Sequence, residues 1–171
     1  MSGDTTPIPA ARPVIDDTDI EAAVRVLRSG MVVQGPEVKG FEEEFSEIVD
    51  GRHCVAVNSG TSALHLTLLA MGVGPGDEVI VPSFTFIASA TAVSVLGAKP
   101  IFADIDPITM TLDSKSVEGA CTPRTKAVVA VHIFGQPCDM DPLMSLAKSR
   151  RLAVIEDCAQ SHLATYKGRT T

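Results

Sequence analysis

The sequence predicts an α/β fold, a mostly parallel sheet with helices on both faces. Three observations lead to this class. Apolar runs of strand length alternate along the chain with segments of helical periodicity. Turns rich in glycine and proline separate these segments, and neither a sequence repeat nor a low-complexity linker interrupts them. Because strands joined through helices pair in parallel by right-handed crossovers, the helices are expected to cover both faces of the sheet.

Residues 1–52 are expected to form an amino-terminal helical lead-in, of which residues 1–13 are extended. A helix is predicted from Asp17 to a stop at Gly30, because apolar residues recur there at helical spacing. The apolar face of this helix comprises Ile20, Val24 and Leu27. A turn at 34–36 precedes a second helix, whose apolar residues are Val38, Phe41, Phe45 and Ile48.

Residues 53–171 are expected to form the main α/β layer. Short apolar runs predict strands at 53–58, 78–81, 99–103, 126–132 and 152–156. Helical patterns between them predict helices at 59–71, 84–96, 114–120 and 140–150. The length of 171 residues fits one domain of common size.

Composition excludes several classes of function. The net charge of −7 argues against a general binder of nucleic acid or of anionic membranes, which needs a basic face. No apolar stretch reaches the roughly 18 residues of a spanning helix, and the first residues lack the order of a signal peptide. The 4 cysteines are scattered without a C-x-x-C pair, so reduced thiols in a cytoplasm are expected.

The chemistry is expected in the loops after the strands, because ligands of open parallel sheets bind beyond the carboxyl ends of the strands. Four loops carry candidate side chains. They are Asn58-Ser59-Gly60-Thr61-Ser62, Pro82-Ser83-Phe84-Thr85-Phe86, His132-Ile133-Phe134-Gly135-Gln136 and Glu156-Asp157-Cys158-Ala159-Gln160.

The first of these loops has the features of a phosphate site. Gly60 permits close approach of a ligand to the backbone, and the amides of Thr61 and Ser62 are expected to be free at the start of a helix. The alternative is a simple helix cap, since serine and threonine are preferred there in any case. The loop is not a P-loop, because no Gly-Lys-Ser/Thr follows.

Asp157 is the most informative residue of the later loops. It ends an apolar strand next to Glu156, and strand alternation sends the two carboxylates to opposite faces. A carboxylate in this position needs a cationic partner such as a protonated pyridine nitrogen, although capping of the next turn is an equal alternative. Gln160 is placed to hydrogen-bond a ring substituent. Phe84 or Phe86 could stack on a flat ring, against the alternative of core packing.

Two other kinds of site receive little support. The 4 histidines share no ligand spacing, so no metal site is predicted, not even around His162 beside Asp157 and Cys158. A Ser-His-Asp hydrolase is disfavoured as well, because no G-x-S-x-G elbow is present.

Taken in order, the loop motifs resemble the DegT/StrS family of sugar aminotransferases. The motifs are N-S-G-T-S-A-L at 58–64, G-D-E-V-I-V-P-S-F-T-F at 76–86, V-H-I-F-G-Q-P at 131–137 and V-I-E-D-C-A-Q at 154–160. The segment S-G-M-V-V-Q-G-P-E-V at 29–38 is similar to an early segment of the family. The likeness covers nearly the whole chain.

The resemblance implies the large domain of a fold-type I enzyme that uses pyridoxal 5′-phosphate. Residues 53–171 would then be part of that domain. In the family, the positions matching Gly60, Thr61 and Ser62 bind the cofactor phosphate. The position matching Phe86 stacks on the pyridine ring, that matching Asp157 pairs with the ring nitrogen, and that matching Gln160 lies beside the ring.

The activity implied is a two-stage amino transfer, commonly from glutamate, to the keto group of a nucleotide-linked sugar. A homodimer is expected for the complete parent protein. Relatives that dehydrate or aromatise their substrates are not distinguished, and a non-catalytic binding protein of pyridoxal phosphate or a nucleotide is the alternative. In the family, the Schiff-base lysine and a smaller carboxy-terminal domain come after the E-D-C-A-Q motif. Both are expected to lie beyond Thr171, so the sequence is expected to be truncated and inactive by itself. No catalytic residue is therefore assigned within this chain, and Lys167 is expected in an exposed turn.

Overall fold

The computed structural model describes Pro9 and residues 12–171. In this part of the chain the helices are Asp17–Ser29 (α1), Pro36–Ile48 (α2), Gly60–Ala70 (α3), Ala88–Ser94 (α4), Ser114–Ala120 (α5) and Met140–Arg150 (α6). The strands are Glu78–Pro82 (β1), Lys99–Ala103 (β2), Thr125–Val131 (β3), Ala153–Asp157 (β4), Thr165–Tyr166 (β5) and Arg169–Thr170 (β6).

The central sheet has four strands in the order β2-β1-β3-β4, and every pair is parallel. Strands β5 and β6 form a separate antiparallel hairpin. The α/β class with a mostly parallel sheet is thereby confirmed. The strand order places β1 and β3 in the centre, where all five residues of β1 are buried.

Helices cover both faces of this sheet, as the sequence predicts. On one face, Leu68 of α3 and Val93 of α4 pack against Val79, Val81 and Val129. On the other face, Val117 of α5 and Leu143 of α6 pack against Ile80 and Val128. Successive strand residues therefore serve opposite cores, which explains why the strands read as continuous apolar runs.

Both amino-terminal helices form where the sequence predicts them. The side chain of Asp16 caps α1 by accepting from the amides of Thr18 and Asp19, and Gly30 ends the helix with a left-handed φ of 72°. On the apolar face of α1, Ile20 and Leu27 are exposed, however, and α1 contains no buried residue. The division into a lead-in of residues 1–52 and a domain part of residues 53–171 stays a prediction, and most of the predicted extended segment 1–13 lies outside the described residues.

The strand predicted at 53–58 is wrong. The segment forms neither helix nor strand, and no strand in the described part of the chain pairs with it. Val55 is 79% exposed, and the amide of Ala56 donates instead to the Glu42 carboxylate at 2.7 Å. A run of apolar residues reveals a preference for burial, whereas strand formation also requires a neighbouring strand for the ladder.

The helix predicted at 84–96 is also shorter than expected. It begins at Ala88, so Phe84, Thr85 and Phe86 lie in a loop after β1. The hydroxyls of Thr85 and Ser89 lie 3.1 Å apart across the start of the helix. The aromatic residues of this loop are consequently displayed at the carboxyl end of the sheet.

Candidate functional site

The carboxyl ends of β3 and β4 lie side by side. Val131 is paired with Asp157 in the ladder, and the amide of His132 donates to the Asp157 carbonyl at 3.1 Å. The start of α3 lies over the same sheet face as Ile155, two residues before Asp157. The fold thus brings the predicted loops together at the carboxyl ends of the strands.

The turn that opens α3 has a more specific hydrogen-bond pattern than the sequence predicts. Ser59 is the N-cap, and its hydroxyl oxygen accepts from the Ser62 amide at 3.1 Å. The Ser62 hydroxyl donates to Asn58 at 2.7 Å. The expectation of a free Ser62 amide is therefore wrong, because the cap uses it. Within this turn, the amides of Gly60 and Thr61 have no hydrogen-bond partner among the described residues.

Gly60 borders open space. A Cβ added to it would meet no atom within 4 Å. Gly60 also lines a cavity of about 510 Å³, which Asp157 lines as well. The wall of this cavity therefore includes Gly60, whose amide has no partner among the described residues, and Asp157, which carries a carboxylate.

Most of the remaining cavity wall is apolar. It receives Phe45 and Ile48 from α2, Leu64 from α3 and Ile155 from β4. The rings of Phe45 and His162 pack edge to face with centroids 6.2 Å apart, which joins α2 to the loop after β4. The other predicted site residues, which lie outside this lining, are Thr61, Ser62, Phe86 and Gln160.

The half-buried Asp157 carboxylate has one engaged oxygen. Its Oδ1 accepts from the Ala159 amide at 3.1 Å, which is the turn-capping role anticipated as an alternative. Its Oδ2 has no hydrogen-bond partner in the described residues. Capping and ligand binding are thus compatible, because each can use a different oxygen of one carboxylate.

Glu156 points to the opposite face and meets a buried histidine. Its Oε2 lies 3.0 Å from Nε2 of His132, which is fully buried. The Cys138 amide donates to Nδ1 of the same ring at 3.0 Å, so Nε2 is the nitrogen that donates to Glu156. This hydrogen bond lowers the pKa of Glu156. Sequence reasoning considered His132 only as a metal ligand and missed this role.

Phe134 has an unusual backbone conformation in the loop after β3. Its φ of 54° and ψ of 27° lie in the left-handed region, which costs an L-residue about 1–2 kcal/mol. Its amide donates to Oε1 of Gln160 at 3.0 Å. Its ring is 73% exposed and packs edge to face on Phe84, with centroids 6.1 Å apart. Nothing in the sequence beyond the following Gly135 hinted at this conformation.

Phe86, the predicted ring-stacking residue, is 71% exposed in the loop between β1 and α4. Its ring packs on no other aromatic ring in the described residues. The side chain is therefore accessible to a ligand.

None of the lysines forms part of the cavity wall. Lys167 occupies the turn of the β5–β6 hairpin, as predicted, and forms an ion pair with Asp141. Lys126 pairs with Asp77 at 3.0 Å. None of the chain's lysines, all of which are described, lines the cavity that contains Asp157.

Three further findings concern the described residues as a whole. No helix among them is both long and apolar enough to span a bilayer. They contain no group of three or more His, Cys, Asp or Glu side chains arranged to hold a metal ion. All 4 cysteines fall within them as free thiols.

Known proteins share both this sequence and this architecture. The model of the DegT/DnrJ/EryC1/StrS aminotransferase family matches residues 13–171. The UDP-2-acetamido-2-deoxy-3-oxo-D-glucuronate aminotransferase of Pseudomonas aeruginosa is 47% identical over 88% of this chain and 42% of its own length. The chain spans only 42–44% of the length of this relative and of two other curated relatives of similar identity.

Solved structures agree with these relatives. DesV of S. venezuelae, in complex with a ketimine intermediate, is 50% identical with a TM-score of 0.86, over 90% of this chain and 42% of DesV. Spr1654 of Streptococcus pneumoniae, in its PMP form, is 34% identical with a TM-score of 0.92, over 96% of this chain and 45% of Spr1654. The family comprises transferases that depend on pyridoxal phosphate. On the match over residues 13–171, this chain belongs to the DegT/DnrJ/EryC1/StrS aminotransferase family.

Proposed function

We propose that this chain supplies the cofactor-binding part of a pyridoxal-phosphate-dependent aminotransferase that acts on a nucleotide-linked keto sugar. The observation that carries the proposal is the shared cavity of Gly60 and Asp157 in a chain of this family. Residues 53–171 are the part of the large domain that holds the cofactor, and residues 1–52 are its helical lead-in.

The residues present fit the cofactor chemically. A phosphate requires N–H donors and space, and the amides of Gly60 and Thr61 offer donors beside the opening at Gly60. Ser62 contributes through its hydroxyl, which braces the turn against Asn58. The free oxygen of Asp157 suits a protonated ring nitrogen.

Each side chain then has a definite task. Asp157 holds a proton at the pyridine nitrogen, because its carboxylate favours the cationic form of the ring. Phe86 covers one face of the ring, and Gln160 binds at its edge. When bound, pyridoxal phosphate supplies an electron-accepting ring that stabilises negative charge next to the transferred amine.

The lysine that moves the proton in such a reaction is not assigned to this chain. Lys167 is held by Asp141, and no lysine of this chain lines the cavity. We therefore assign that role, together with part of the substrate site, to the portion of the relatives' length that this chain does not span. The chain by itself is expected to bind cofactor without transferring an amine.

The substrate class follows from the relative in Pseudomonas aeruginosa, whose name specifies a UDP-linked 3-oxo sugar acid. Glutamate is the proposed amino donor. A homodimer is proposed for the complete protein, because exposed apolar side chains surround the site, including Phe86, Ile87 and Phe134. A cytoplasmic location fits the free thiols.

Titration with pyridoxamine phosphate tests the proposal, because this form of the cofactor binds without a covalent bond to lysine. The wild-type chain is expected to bind it saturably, and Asp157→Ala is expected to weaken binding about tenfold or more through loss of the charged partner. Equal affinity of the two proteins would contradict the role of Asp157. Borohydride treatment after addition of pyridoxal phosphate is expected to modify no single lysine selectively, as read by peptide mass spectrometry.

A second candidate is a binding protein without catalysis. The observation that favours it is the absence of any lysine from the cavity lining. The nucleotide sequence after codon 171 distinguishes the two candidates. Continuation into a segment that bears a lysine and restores amino transfer from glutamate would eliminate the second candidate, whereas a stop codon would support it.

A further inference from the structure

The loop after β3 is fixed by a hydrogen bond at each end, one to β4 and one within the loop. At its start, the His132 amide donates to the Asp157 carbonyl at 3.1 Å. At its end, the Cys138 amide donates to the His132 ring at 3.0 Å. Phe134 lies between these anchors, so its left-handed backbone cannot change without moving one anchor or turning its own amide.

This amide determines which way the Gln160 side chain is arranged. A backbone N–H can only donate, so the atom of Gln160 that faces Phe134 at 3.0 Å must be its oxygen. The Nε2 group of Gln160 is then left as a hydrogen-bond donor. It has no partner in the described residues, and the side chain is exposed at the carboxyl end of β4.

We propose that Phe134 is a positioning residue, whose left-handed backbone fixes the Gln160 amide as a donor toward an oxygen on the cofactor ring. The inference rests on the proposed function and adds to it the residue that selects donation over acceptance. An unfavourable conformation at an exposed phenylalanine is retained where the surroundings require it, which is typical of binding sites.

Two substitutions of Phe134 provide a matched comparison. Both Phe134→Asn and Phe134→Val remove the ring that packs on Phe84. Asparagine tolerates the left-handed region, whereas β-branched valine does not. Affinity for pyridoxamine phosphate is measured by calorimetry, with the absorbance of the bound ring as a second readout.

Phe134→Val is expected to bind about tenfold more weakly than Phe134→Asn, because the donor of Gln160 is no longer held in place. The absorbance of the bound ring is expected to remain close to that of the wild type in Phe134→Asn and to shift in Phe134→Val. Equal affinities and spectra for the two variants would overturn the inference while leaving the proposed function intact.

Gln160→Glu keeps the test decisive if Phe134→Val fails to fold. Glutamate still accepts from the Phe134 amide but has no N–H to donate. It is expected to weaken binding at least as much as Phe134→Val, and wild-type affinity in this variant would overturn the inference. Failure of the wild-type chain to bind pyridoxamine phosphate would instead refute the proposed function, and the inference with it.

Discussion

The imidazole of His132 and the carboxylate of Glu156 meet 3.0 Å apart at the ends of neighbouring parallel strands. Glu156 immediately precedes Asp157, which faces the opposite side of the sheet. The His132 ring also accepts from the Cys138 amide, so one buried side chain joins β4 to both ends of the loop that follows β3. The Asp157 carboxylate is therefore presented from a strand end that is held in place on its other face.

Replacement of His132 tests this support. His132→Leu is expected to lower the free energy of unfolding by about 2–3 kcal/mol, because it leaves the buried Cys138 amide unpaired and removes the bond to Glu156. His132→Gln is expected to cost less, since its amide can still reach one partner. Urea denaturation measures both, with His53→Gln at an exposed position as the control. Equal losses for the leucine and glutamine variants would contradict the hydrogen-bonding role.

Gly60→Ala separates ligand binding from stability. Alanine has the higher helix propensity, and its Cβ meets no atom within 4 Å, so the stability is expected to stay equal or rise slightly. Affinity for pyridoxamine phosphate is expected to fall, because the methyl group occupies the opening beside the free amide.

Gly97→Ala is the matched control for that substitution. Its Cβ would lie 3.0 Å from Pro75, and its φ is 74°, so a clear loss of stability is expected at a position away from the site. Thermal unfolding of the two variants, with calorimetry for binding, checks both outcomes. A destabilised Gly60→Ala protein would show that Gly60 serves the fold instead of a ligand.

Ser59 caps α3, and its substitution distinguishes a cap from a phosphate contact. Ser59→Ala is expected to cost about 1 kcal/mol of unfolding free energy through loss of the bond from the Ser62 amide. Ser59→Asp keeps an acceptor and is expected to retain stability, but its negative charge should weaken binding of pyridoxamine phosphate. Chemical denaturation and titration are compared, and unchanged affinity in Ser59→Asp would argue against a phosphate at this turn.

Acid sensitivity is expected from Glu78, which is buried at the start of β1. Hydrogen bonds from Thr122 and then Arg124 lower the pKa of Glu78 from its ordinary value of 4.5. At pH values between the lowered pKa of Glu78 in the folded protein and its ordinary pKa of 4.5, the unfolded chain binds more protons than the folded chain. The stabilisation that ionised Glu78 contributes is therefore complete above the ordinary pKa and is lost as the pH falls through the folded-state pKa. We therefore expect Glu78→Gln to show a smaller fall in stability on acidification.

The measurement is urea denaturation from about pH 6 to about pH 3, the range in which carboxylates titrate. Glu43→Gln serves as the control, because the Glu43 side chain is 69% exposed. Identical pH profiles for the wild type and Glu78→Gln would refute the prediction.

The sequence alone was sufficient to predict the features that depend on local residue patterns. The α/β class, the four paired strands and the cap of α3 follow from burial periodicity and from the residues that begin and end helices. The opposite orientations of Glu156 and Asp157 follow from strand alternation. Motif spacing was likewise sufficient to indicate the family, which the match over residues 13–171 confirms.

Only the tertiary structure decided which hydrogen-bonding groups have a partner within the chain and which do not. Among the described residues, no strand pairs with 53–58, the Ser62 amide is bound in a helix cap, and Phe134 is hydrogen-bonded to Gln160 across 26 positions. His132 is likewise hydrogen-bonded to Glu156 across 24 positions. The physical reason is that hydrogen bonds are shared between partners brought together by chain packing, and a local pattern specifies the donor without specifying its acceptor.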